Sequence, residues 1–329
     1  MSLAAPALSQ SAFIADLSRR ERSFWRVAAT LVAGGAGGVL VGLVCGVIAL
    51  VGFAALTGAL GGGVHAMSQH VTGLIGGQSV QSALVLLTLA TATNAPWAAT
   101  FIAIAAVIGG RRPLGYVTIA RKIRWGLLLA GLVLSFAIIG PLVAAGQMLD
   151  PRAPAPPVLS LAKDWPSRIG YAVACIALLI PAAAAEEVVF RGWLLRESAA
   201  LSRNPIFLMA VNGVLFSAVH GEFGPDAFLT RALMGAGFVY MTLRLGGIEF
   251  STGAHAANNI MIVLFIQPLT LKPPAASGLT AGSVFQDVFL LAAYVAMAEL
   301  VARWPALRRL TGADGAEMTA AQTAAQTFS

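Results

Sequence analysis

The sequence predicts an all-α, polytopic transmembrane helical bundle of about eight spans. Of its 329 residues, 58% are hydrophobic and only 11% are charged, whereas soluble chains carry about 25% charged residues. Several apolar runs exceed the roughly 20 residues that a helix needs to cross hydrocarbon. Those runs are continuous and do not alternate, which excludes a β-barrel.

The spans fall at about 27–57, 82–109, 125–148, 168–190, 205–221, 227–245, 249–268 and 283–303. The formal charge of +7 does not form one patch of the kind nucleic acid would need. Its cations flank the apolar runs: Arg19, Arg20, Arg22 and Arg26 before the first, Arg111, Arg112, Arg121, Lys122 and Arg124 between the second and third, then Arg196 and Arg203, Arg244, and Arg303, Arg308 and Arg309. The alternate connections are poorer in cations, so both termini are expected on the cytoplasmic side of the cell (inner) membrane. The first 26 residues are polar and the following run is too long for a signal peptide, so no cleaved leader is expected. Cys45 and Cys175 both fall inside spans, which argues against a disulfide framework, and there is no C-x-x-C spacing.

Composition divides the chain into a cytoplasmic N-terminal segment 1–26, a three-span part 27–149, an external Pro-rich linker 150–167, a five-span part 168–310 and a disordered tail 311–329. In the first span Gly34, Gly38, Gly42 and Gly46 recur every fourth residue. Such a stripe admits another backbone at close range, within the bundle or on a second copy, and packing within the bundle is favoured. Asn94 and Pro96 interrupt the second span and predict a kink.

The five-span part carries three polar clusters inside apolar runs: Glu186-Glu187-x-x-x-Arg191, Phe216-x-x-x-His220 and His255-x-x-x-Asn259. Ionisable residues in a membrane are costly and mark functional sites. Each cluster holds a pair four residues apart, which shares one helix face. Glu187 is thereby neutralised by Arg191, while Glu186, about 100° round the helix, is left to face a cavity. A turn at Ser202-Arg203-Asn204-Pro205 puts Glu186 and His220, each 17 residues from Arg203, at one height in an antiparallel hairpin, roughly 25 Å from the turn. His255 lies roughly 12 Å from its own turn, so the hairpin tip must protrude by about 13 Å for the three to meet.

A carboxylate, two imidazoles and an amide at one depth suit hydrolysis. Glu186 and His220 would hold and deprotonate a water, and His255 and Asn259 would donate hydrogen bonds to a developing oxyanion. Glu186, His220 and His255 would equally serve as ligands to a divalent metal such as zinc, although H-E-x-x-H is absent. Phe216 is read as packing. His65, His70, Asn258, Glu222 and Asp226 are given no catalytic role.

In this order on successive helices, E-E-x-x-x-R, F-x-x-x-H and H-x-x-x-N resemble the CPBP family of intramembrane proteases, which includes CAAX prenyl endopeptidases of the Rce1 type and the bacterial Abi proteins. The resemblance covers roughly residues 168–270. It implies an Rce1-like core and an endopeptidase site open to the cytoplasm that acts on a peptide or protein substrate at the bilayer. By that resemblance Glu186 and His220 activate water, His255 and Asn259 stabilise the oxyanion, and Glu187 and Arg191 support the site. A glutamate mechanism without cofactor is favoured over a metal one, because Asn259 and only two nearby histidines make a modest ligand set. Nothing in the sequence reports a prenyl pocket. A proton-coupled transporter and a non-catalytic membrane scaffold or immunity protein remain as alternatives.

Overall fold

Among the described residues eight helical rods run where the apolar stretches lie. The computed structural model describes residues 8–17, 20–21, 23–56, 72–73, 79–149, 153–221, 224–270 and 278–314. The readings of His65, His70 and Glu222, and of the tail beyond residue 314, lie outside these. The rods are α1 (Phe24–Leu56), α2 (Val80–Gly109), α3 (Trp125–Leu149), α4 (Trp165–Glu187), which continues through a π-helical stretch (Val188–Leu194) into α5 (Leu195–Leu201), then α6 (Pro205–Ala218), α7 (Pro225–Leu245), α8 (Glu249–Met261), which ends in a second π-helical stretch (Ile262–Ile266), and α9 (Ala281–Arg303). A short α10 (Pro305–Thr311) follows.

Among the described residues five of these rods are long and apolar enough to cross a membrane: α1, α2, α3, the continuous 165–201 rod and α9. The other three rods, α6, α7 and α8, fall short of that length or apolarity. With 14 residues, α6 reaches only about 21 Å. In α8 nearly every residue is buried, because α3, α4 and α7 surround it. A helix enclosed by protein needs no apolar face for lipid, so it can carry Ser251, Thr252, His255, Asn258 and Asn259. Three further features add to the sequence reading. α4 begins three residues before 168, since Asp164 caps it by accepting from the Ser167 amide at 2.8 Å and Trp165-Pro166 open its first turn, where proline lacks no needed donor. α10 adds a helix around residue 310. The loop before α3 and the turn before α8 pair through one antiparallel bridge, Thr118 with Gly247.

The glycine stripe packs inside the bundle, as favoured. A Cβ on Gly42 would stand 2.7 Å from the Thr93 carbonyl, and one on Gly38 would stand 2.7 Å from Trp97, both on α2. Elsewhere on α1, Leu31, Leu40 and Ile48 are exposed. α3 and α8 cross equally closely at Gly131 and Gly253, where an added Cβ would collide with the carbonyls of Phe250 and Leu128 respectively. Both cysteines are free thiols.

Two buried ion clusters clamp the cation-rich end, and neither arginine is the solvated topological charge that the sequence suggested. Arg124 grips Glu249, the first residue of α8, through two bonds of 2.9 and 2.7 Å, and donates to the carbonyls of Leu245 and Gly246 at the end of α7. Gly246 makes this turn with φ +70°. Arg196 pairs with Glu21 and Asp16, each at 2.9 Å, and donates to the Phe13 carbonyl. The N-terminal segment is therefore docked on the bundle. Phe13 and Ile14 are wholly buried against Leu195, Leu208, Val239 and Leu243, and the Ser11 hydroxyl donates to the Leu243 carbonyl at 2.5 Å. Arg111 also reaches Asp16, at 3.0 Å. Burial opposes the Asp16 charge, but Arg196 and Arg111 outweigh it and hold the carboxyl below its ordinary value.

Candidate active site

The site begins where α4 gives way to the π-helical stretch. A π turn widens the helix and recurs at functional sites. Here it carries Arg191 on the same side as Glu187, and their side chains meet at 3.0 Å with neither exposed. The Arg191 guanidinium lies 4.2 Å from the Phe216 ring centroid and 5.1 Å from that of Phe238, and it donates to the Gly235 carbonyl at 3.3 Å. Phe216 thus has a defined task. It floors the arginine on one side and meets the rings of His220 and His255 edge-on, at 4.7 and 5.7 Å.

Glu187 also faces His255, whose Nδ1 lies 3.0 Å from its Oε1. A carboxylate only accepts, so Nδ1 carries the hydrogen and the ring's Nε2 is turned to the other carboxylate. The same logic holds for His220, whose Nδ1 lies 2.7 Å from the Phe216 carbonyl. Both Nε2 atoms then stand 3.7 Å from Glu186 Oε2. That oxygen is buried and has no hydrogen-bond partner. A gap of this length between polar atoms is the place for a bridging water.

The structure brings Glu186, His220, His255, Glu187, Arg191 and Phe216 together. It puts Asn259 one turn beyond His255 on α8, half-buried, and the amide forms no hydrogen bond with the other six. Its oxygen accepts from Asn258 at a long 3.5 Å, and its Nδ2 has no partner among the described residues. The antiparallel hairpin places Glu186 beside His220 as the chain count required. At 37 residues the 165–201 rod is about 55 Å long, far more than the hydrocarbon thickness, which leaves room for the protruding tip.

Glu186 and His220 line a cavity of about 490 Å³. Its walls are mainly apolar and come largely from α1 and α2: Val39, Leu43, Thr93, Asn94 and Trp97. Sequence reasoning assigned these helices no part in the site. The signal was present in Asn94, an exposed amide in the middle of an apolar helix.

The residues 168–261, which hold all seven of these side chains, match the model of the type II CAAX prenyl endopeptidase Rce1-like family. This segment is an Rce1-like domain. A relative, the uncharacterized protein YyaK of Bacillus subtilis (strain 168), is 32% identical over 158 residues, which cover 46% of this chain and 51% of the relative. The chain therefore spans about half the length of the curated relative it matches. No solved structure matches the chain. The domain comprises α4 to α8, so the α1–α2 wall of the cavity lies outside it. Among the described residues no group of three or more His, Cys, Asp and Glu side chains is placed to hold a metal ion. Glu187, the carboxylate that would help to balance a dication, is already neutralised by Arg191.

Proposed function

We propose that this protein is an intramembrane endopeptidase that hydrolyses a peptide bond in a membrane-proximal substrate by a glutamate mechanism. The observation that carries this reading is Glu186 Oε2, buried, unpaired and equidistant from two histidine Nε2 atoms, on a residue that lines a mainly apolar cavity. Water bound in that gap donates one hydrogen to Glu186 and the other to the Nε2 lone pair of His220. Glu186 takes the proton as the water oxygen attacks the scissile carbonyl, and it returns the proton to the leaving amine. His220 shares that proton across the 3.7 Å gap. The free Nδ2 of Asn259 and the Nε2–H of His255 in its doubly protonated form donate to the oxyanion. Glu187 positions His255 and opposes its charge. The positive-inside pattern favours a cytoplasmic side for the cation-rich end and both termini.

Glu186→Gln keeps the shape of the side chain but loses the base. In proteoliposomes carrying a membrane-anchored peptide reporter, cleavage should fall by about 10²–10⁴-fold, while the thermal unfolding profile stays that of the wild type. Excess chelator should leave wild-type cleavage unchanged. Cleavage by Glu186→Gln at the wild-type rate would overturn the proposal. So would a proton flux through wild-type vesicles that Glu186→Gln abolishes in the absence of any proteolysis.

A further inference from the structure

A second cavity, of about 740 Å³, lies at the cation-rich end, between the loop that leads into α3 and the short helix α10. Arg121, Lys122, Arg124 and Arg309 line it, with Trp125 and Leu310, and no acidic side chain does so among the described residues. Only Arg124 has its charge answered, by Glu249 beneath the floor. Arg121 and Lys122 have no ion-pair partner among the described residues, and Arg309 makes one long bond of 3.3 Å to the Pro305 carbonyl. Three free cations thus face one concave space. Trp125 and Gly126, the first residues of α3, belong to its wall, so the positive end of a 25-residue helix adds to the field.

The apolar rim decides which anion this suits. Trp125 is 66% exposed and Leu310 79% exposed. Trp125 opens one membrane span, and α10 follows the end of another at Arg303, so both lie at the level where hydrocarbon meets headgroups and aromatic residues anchor. A soluble phosphate would use the cations and leave the rim bare. A phospholipid uses both, with its headgroup in the basic hollow and its glycerol and upper acyl chains against Trp125 and Leu310. We infer that this cavity is a binding site for the headgroup of an acidic glycerophospholipid. It shares no residue with the catalytic cluster and does not depend on the reading of that cluster.

The test uses the full chain purified in a zwitterionic detergent, with lipid occupancy read by native mass spectrometry during titration with phosphatidylglycerol or phosphatidylcholine. Phosphatidylglycerol should bind saturably and phosphatidylcholine should not. The variant Arg121→Gln/Lys122→Gln/Arg309→Gln should weaken phosphatidylglycerol binding by at least about tenfold. All three side chains are exposed, and thermal unfolding will verify that the variant folds. The control Arg112→Gln/Lys163→Gln/Arg203→Gln removes the same charge elsewhere and should bind as the wild type does. Equal binding of the two lipids, an unweakened cavity variant, or an equal loss in the control would overturn the inference. Displacement of phosphatidylglycerol by an equal concentration of inorganic phosphate would also overturn it, by assigning the hollow to a soluble anion.

Discussion

Replacing Arg191 with methionine tests whether the catalytic cluster is held by a buried charge pair. Glu187 is wholly buried, and its Oε1 is shared by Arg191 and His255 at 3.0 Å each, while its Oε2 has no partner. Arg191→Met leaves that carboxylate facing His255 alone. Breaking a buried pair from one side costs about 3–5 kcal/mol. The guanidinium also loses its place over Phe216 and Phe238, worth about 2 kcal/mol in a dry site, of which a methionine sulfur against the same rings restores about 0.3–1.5 kcal/mol. The single variant should therefore be severely destabilised, by about 4–6 kcal/mol. Glu187→Gln made in the same chain removes the orphaned charge and retains an oxygen for His255 Nδ1. The double variant should recover about 2–3 kcal/mol relative to the sum of the two single changes. Denaturing titration of all four proteins in detergent, followed by tryptophan fluorescence, completes the cycle. Additivity within about 0.5 kcal/mol would mean that the two side chains do not sense one another, and the account of Glu187 as the group that fixes His255 would fail with it.

Gly253→Ala should destabilise the fold by about 1–3 kcal/mol, since its methyl collides with the Leu128 carbonyl, whereas Gly35→Ala, which meets nothing within 4 Å, should unfold as the wild type does; thermal melts in detergent compare the two. The docked N-terminal segment should be acid-labile. The folded-state value of Asp16 lies below its ordinary 3.8, so its contribution is fully present above that value and is lost as pH falls through the lower one. Hydrogen exchange at residues 8–17 should accelerate in that acid range in the wild type, and Asp16→Asn should remove this part of the pH dependence, leaving whatever Glu21 adds. Unchanged protection of the wild-type segment down to pH 2 would refute the latch.

The parts legible in the sequence were those set by solvent and by counting. Apolar run lengths gave the rods, because a lipid-facing helix such as α1 has to be apolar along its length. Equal chain distances from Arg203 gave the meeting of Glu186 and His220, because an antiparallel hairpin converts sequence offset into depth. The i,i+4 offset gave the Glu187–Arg191 pair, since that spacing still brings the two side chains together where the helix widens. What the sequence hid was set by tertiary contact. Arg124 and Arg196 look like ordinary flanking cations until Glu249, Asp16 and Glu21 are brought to them from 125, 180 and 175 residues away. Phe13 and Ile14 occupy a segment too short to show a period, so their burial had no local signature. The π-helical stretch after Glu187 has no composition that distinguishes it from an α-helix.

The two halves of the cavity come from different parts of the chain, and this bears on what the proposed enzyme selects. Every side chain assigned to the chemistry lies within the Rce1-like domain, but much of the room beside Glu186 is shaped by α1 and α2. Those two helices meet along glycines, so the position of Leu43 and Val39 at the cavity depends on how closely Gly42 approaches the Thr93 carbonyl. Changes on α1 that leave this contact intact alter the cavity's width without moving the histidines, which the turn after α6 and helix α8 hold. Substrate fit and bond cleavage are thus mechanically separable in this architecture. Among the described residues the cavity wall carries no Lys or Arg, so these offer no cationic partner for a free carboxylate. An uncharged, internal stretch of peptide suits it better than a chain end, in keeping with endoproteolysis.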